Sequence, residues 1–136
     1  MKNASFTDLE LYKACRQLRK DISQLTISNF PIDEKYRLSD QVIRSSRSVT
    51  ANIAEGHGRY YFKENIAFCR KSRGSLSETL EHIITAFDQN YITSEKLKAL
   101  KLQIDSCMKL LNGYIKYLNR VKPQKDENDL PTSHRQ

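Results

Sequence analysis

Apolar residues recur along most of the chain at alternating spacings of three and four, the period of one face of an α-helix. The first run is Leu11, Cys15, Leu18, Ile22 and Leu25, with Lys13, Arg16 and Lys20 on the opposite side. Ahead of it, FTDLEL combines a Thr7–Glu10 capping box with a Phe6–Leu11 hydrophobic staple, so a helix is expected to start there. A residue before proline resists the helical region, and Pro31 therefore places the end of this helix near Ser28. Residues 31–36 fit a short helical turn of their own. Ser39 reads as the next cap, and Val42, Ser46, Val49 and Ile53 carry a second helix from about Asp40 to Glu55.

Phe62, Ile66, Cys69, Arg73, Leu76, Leu80, Ile83 and Phe87 then hold one seven-residue register, which predicts a third helix over 61–89. Arg73 is its one charged member and is followed at once by Gly74. A guanidinium in an apolar register must find a carboxylate or reach solvent. With a reversal near residue 58, Arg73 is expected level with Arg44 to Ser46, and Gly74 and Ser75 near Ser45 and Ser46. Its expected partner is Asp40, Asp21 or an acid of a neighbouring subunit. In the last run, Thr93 or Ser94 caps, Ile92 staples to Leu97, and Leu100, Ile104, Cys107, Leu111, Tyr114 and Leu118 continue the buried side to about Val121. Residues 122–136 hold too little apolar surface to offset the entropy of ordering and are expected to be a disordered tail. Four amphipathic helices with mostly short connections predict an all-α fold over 1–121, an antiparallel up-and-down four-helix bundle.

Composition agrees with a single domain: 136 residues with 4 glycines and 3 prolines are too poor in turn formers for an all-β fold. The start, MKNASFTDLE, has no apolar stretch of a signal peptide, and no apolar run approaches membrane-spanning length, so a soluble cytoplasmic protein is expected. Cys15, Cys69 and Cys107 fall in apolar registers of separate helices with no C-x-x-C pair, and read as reduced, buried thiols. His57, His82 and His134 form no ligand spacing, so neither metal nor cofactor is implied. The 23 Lys and Arg against 16 Asp and Glu favour a polyanionic partner.

The stretch SVTANIAEGHGR, residues 48–59, carries a G-x-G that invites a phosphate-loop reading. A dinucleotide fingerprint needs its glycines after a strand and a third glycine, where this chain has Tyr61 after a helix; a P-loop needs a Lys-Ser or Lys-Thr pair that is absent. The glycines instead predict a helix end, with Gly56 or Gly58 left-handed. Asn52, Glu55 and Arg59 share a helical face and predict a polar lock on the reversal. Glu55 has no second acid, histidine or metal beside it and makes a poor catalytic set, so no enzyme is expected. For nucleic acid, the best patch joins Arg44 and Arg47 on the second helix with Arg59, Lys63, Arg70 and Lys71 around the turn and third helix. Tyr60 and Tyr61 stand ready to stack on bases.

The wording FPIDEKYRLSDQVIRSSRSVTANIAEGHGR followed by FCRKSRGSLSETLEHI resembles the bacterial four-helix bundle proteins encoded within 23S ribosomal RNA intervening sequences, over about Phe6 to Leu118. Where that family often has an R-R pair and a proline in its second helix, this chain reads Ile43-Arg44 and Thr50. The resemblance implies an up-and-down bundle assembling into a closed homo-oligomer, pentameric in relatives, and kinship to accessory proteins of diversity-generating reverse transcriptases. It does not imply a ribosomal subunit. Two functions are expected in order: a non-enzymatic oligomeric module contacting RNA or DNA backbone, and a protein-interaction scaffold or accessory subunit of a nucleic-acid enzyme such as a reverse transcriptase.

Overall fold

Each of the four apolar registers folds as a helix. The computed structural model describes residues 5–129, with side chains as far as Val121. It contains α1 (Glu10–Asn29), α2 (Leu38–His57), α3 (Phe62–Asp88) and α4 (Ser94–Asp129), with 3₁₀ turns at Phe6–Asp8 and Ile32–Glu34 and no strand among the described residues. Each helix packs on its neighbours in sequence, and α4 closes the ring against α1, giving an antiparallel four-helix bundle. Leu18, Ile22, Val42, Ile53, Cys69, Leu76, Ile83, Ile104 and Leu111 fill its axis and are inaccessible to solvent or nearly so.

The helix starts differ from expectation in how they are capped. Ser5 and Asp8 have the same spacing as Thr7 and Glu10, and the chain uses the earlier pair: Thr7 N–H donates to Ser5 Oγ (3.1 Å) and Ser5 N–H to Asp8 Oδ2 (3.2 Å). The box therefore closes a 3₁₀ turn ahead of α1, and Phe6 packs edge-on against Tyr12. Ser39 does not cap α2 either, because it is buried one residue inside the helix. Glu34 does that work from the preceding turn, accepting from Leu38 N–H (3.2 Å) and from the Tyr91 hydroxyl (2.7 Å). These donors hold the Glu34 carboxyl below the ordinary carboxylate range, the tyrosine contact most, and raise the Tyr91 hydroxyl in return. Thr93 caps α4 as expected, its Oγ1 accepting from Lys96 N–H (3.1 Å).

Between α3 and α4 the chain reverses through Asn90, left-handed at φ 65°. Tyr91 N–H bonds back to Ala86 O and Asn90 N–H to Phe87 O, both at 2.9 Å, the paired bonds of a Schellman motif with asparagine in the glycine place. At its far end α4 runs on through Pro123 to Asp129, past the boundary expected at Val121. The Lys, Gln, Asp and Glu of that stretch include good helix formers, and their propensity extends the helix where apolar content does not. The tail expected from residue 122 is thus helical as far as 129, and its remainder lies outside the described residues.

Candidate nucleic-acid interface

Where α2 gives way to α3, the glycines act through space and not through backbone conformation. Gly58 sits at φ −79°, and none of the described glycines has positive φ, so the left-handed helix end is not formed. Gly56 is buried against α3 instead. A Cβ placed there would lie 2.7 Å from Asn65 Oδ1, 2.9 Å from Phe68 Cβ and 3.0 Å from the Asn65 carbonyl. Glycine thus lets the two helices touch backbone to backbone just before the turn.

That close approach opens onto a seam of small polar residues. On α3, Asn65, Ser72, Thr79 and Ala86 recur every seven residues, all buried. Ser72 Oγ donates to Val49 O, Ser75 Oγ donates to Ser48 Oγ, and the Ser45 and Thr79 hydroxyls share a hydrogen bond, each at 2.8 Å. These contacts set the register of α3 on α2 about one turn away from expectation, since Ser75 meets Ser48 and not Ser45 or Ser46. Residues 58–61 connect the helices in a wider arc than a reversal centred on residue 58.

The expected polar lock is half formed. Arg59 Nη2 donates to Glu55 Oε2 at 2.8 Å, an ion pair spanning the end of α2. Asn52 does not join it, because its amide donates to Ser48 O (2.9 Å) and Ser48 Oγ (3.0 Å), one helical turn back and nearer than the turn ahead. Arg73 finds no carboxylate among the described residues. The register displacement carries it away from Asp40, and Asp21 is engaged by Gln17 and Gln103. It donates to Asn112 Oδ1 of α4 (3.0 Å), half-buried at the rim of the bundle.

The six expected cations are all exposed, on α2, the α2–α3 connection and α3. Arg44 lies toward the far end of α2, 4.0 Å from Asp40. Arg47, Lys63 and Arg70 are exposed and make no ion pair among the described residues, with Lys63 and Arg70 seven apart on α3. Arg59 and Lys71 converge: the guanidinium carbon of Arg59 lies 4.9 Å, and Lys71 Nζ 4.6 Å, from the centre of the Phe68 ring. Tyr60 and Tyr61 pack edge-on against each other at 4.7 Å beside this turn. Phe68 was not among the residues singled out from the sequence. Its spacing of three from Lys71 was a readable signal, but its nearness to Arg59 depends on the reversal.

The surroundings carry charge and aromatic surface. Among the described residues no three His, Cys, Asp or Glu side chains group as metal ligands, and no helix is long and apolar enough to cross a membrane. The thiols are free and buried. Burial pushes Cys69 up to about 11, and Cys15 stands still further above the ordinary thiol range, chiefly through its contact with Cys107 across α1 and α4 and then through burial.

An antiparallel helical bundle with a hydroxyl-lined α2–α3 seam and cations spread on its outside defines the general class. The chain belongs to the 23S rRNA-intervening sequence protein family, whose model matches residues 7–113. Among solved structures it is similar to a protein of unknown function from the S23 ribosomal protein family of Bacteroides thetaiotaomicron. The TM-score is 0.70 and the identity 23%, covering 78% of this chain and 95% of that one. That likeness establishes the shared fold. No curated protein matches the chain.

Proposed function

We propose that the protein is a non-enzymatic, oligomeric, cytoplasmic module that binds the backbone of RNA or DNA through its basic surface. The observation that carries this reading is the set of exposed cations Arg47, Lys63, Arg70 and Lys71, none in an ion pair among the described residues. Each such cation can release a counterion from a phosphate chain, and a net charge of +7 favours the encounter. The family's description, which names a ribosomal RNA intervening sequence, is consistent with an RNA partner. Self-association, as a pentamer by resemblance, would repeat these cations around a ring and multiply a weak contact.

A second reading, a scaffold or accessory subunit of a nucleic-acid enzyme such as a reverse transcriptase, is favoured by the outer side of α4. Leu102 is 68% exposed and Tyr117 47%, with Leu110 also exposed between them, an apolar stripe suited to a protein partner. Titrating the purified protein with structured RNA at two salt concentrations while recording its mass distinguishes the readings. Binding by an oligomer that weakens steeply with salt supports the first; absence of binding at low salt leaves the second.

A further inference from the structure

Aromatic and cationic groups stand together at the α2–α3 reversal. We infer that Phe68, Arg59 and Lys71 form a seat for one unpaired nucleotide, so that the nucleic acid bound at this surface is single-stranded there. The inference rests on the nucleic-acid reading above and adds to it the strandedness of the ligand.

Three contacts place these groups together. Arg59 and Lys71 approach the Phe68 ring to 4.9 and 4.6 Å, and Glu55 holds the Arg59 guanidinium at 2.8 Å. Gly56 sets the depth of the ring, because only a residue without Cβ leaves room for Phe68 Cβ and Asn65 against α2. The ring is half-buried, and Arg59 and Lys71 over it are exposed. Because both cations stand over the ring, the surface left for a base is the outer plane of the Arg59 guanidinium. The ring beneath it and the Glu55 carboxylate hold that plane in place, and stacking on such a plane is tolerant of base identity. Lys71 makes no ion pair among the described residues and is available to the adjoining phosphate. A duplex presents its phosphates to such a site but keeps its bases stacked inside, so it gains the charge contact and not the stacking contact.

The test is fluorescence anisotropy of the full chain with a labelled 12-nucleotide uridine-rich RNA and with a duplex of equal length, over a range of salt. Wild type is expected to favour the single strand. Phe68→Leu keeps apolar bulk and removes the ring; it should weaken single-strand binding by about fivefold or more, the lower end for base–aromatic stacking, and leave the salt slope unchanged. Duplex binding should change less than about twofold, because backbone contacts are retained. Arg59→Lys, which keeps the charge at an exposed position, should also reduce the single-strand preference, and decides the matter if Phe68→Leu loses helicity. Unchanged single-strand affinity in Arg59→Lys and folded Phe68→Leu, or equal losses on both ligands, would overturn the inference while leaving the backbone-binding reading in place. No binding of either RNA by wild type at low salt would overturn both.

Discussion

The two interfaces at opposite sides of the bundle are built from different chemistry. Between α1 and α4 the buried residues are Leu11, Cys15, Leu18, Ile22 and Leu25 on one side and Leu100, Ile104, Cys107, Leu111, Ile115 and Leu118 on the other; besides the buried Cys15–Cys107 thiol contact, Gln103 donates to Asp21 at 3.0 Å in an exposed bond. Between α2 and α3, the more extensive contact, Ser45, Ser72 and Thr79 are buried and bonded, and Gly56 admits Asn65. An aliphatic interface gains free energy in proportion to area and tolerates small sliding. A hydroxyl seam gains less per bond, but each bond is lost when the register slips, because a buried unpaired hydroxyl is costly. Both interfaces bury apolar side chains, Val42, Val49, Ile53, Ile66, Leu76 and Ile83 among them on α2 and α3, and the hydroxyl seam in addition fixes where α3 sits on α2 and so where Phe68, Arg59 and Lys71 meet.

The largest test of that contrast is on the aliphatic side. Leu111→Ala should cost about 2–5 kcal/mol in urea denaturation, as expected for a fully buried leucine. Gly56→Ala should cost about 1–3 kcal/mol through overpacking, despite the roughly 1 kcal/mol that alanine gains in helix propensity. Gly74→Ala, where an added Cβ meets nothing within 4 Å, should instead stabilise by about 0.5–1 kcal/mol. If both alanines act alike, the close approach at Gly56 is not a constraint. Thr79→Val, nearly isosteric, should cost about 1 kcal/mol by removing the bond to Ser45. Its sharper signature is a change in the Phe68 environment by NMR, which Leu111→Ala should not share.

The smallest effects lie at the surface. Glu55→Gln should lower stability by less than about 1 kcal/mol, and the loss should vanish at high salt, since the Arg59 pair is exposed. Glu34 gives a pH dependence. Its folded pKa lies below the ordinary 4.5, so its contribution is present above that value and is lost as pH falls through the lower folded one. Acid melts of Tyr91→Phe should therefore show a weaker loss of stability below pH 4.5 than wild type.

Most of the fold was legible in the sequence because four long apolar registers leave little choice of secondary structure. The third helix, for example, extends over Phe62–Asp88 against an expected 61–89. The misses have physical causes. Two capping boxes overlap at Ser5 and Thr7, and spacing does not rank them. Gly56 or Gly58 reads as a left-handed helix end, whereas Gly56 serves close approach, a property of the partner helix. The Asn65–Ser72–Thr79–Ala86 repeat is visible as a heptad, but hydropathy scores its first three members as solvent-facing. Arg73 stands out in the sequence as a break in pattern, yet its partner Asn112 is neutral and on α4, beyond what a charge argument reaches. For the cations, helical spacing separates exposed from buried but does not reveal that Arg59 and Lys71 share Phe68.

The central claim, that the exposed cations of α3 engage a phosphate backbone, is tested most directly by the slope of log affinity for RNA against log salt, in wild type and in Lys63→Gln/Arg70→Gln/Lys71→Gln. Three fewer cations should lower the slope by about 2–3, at roughly 0.7–0.9 per phosphate contact, and weaken binding at low salt. A variant that matches wild type in both slope and affinity would contradict the account.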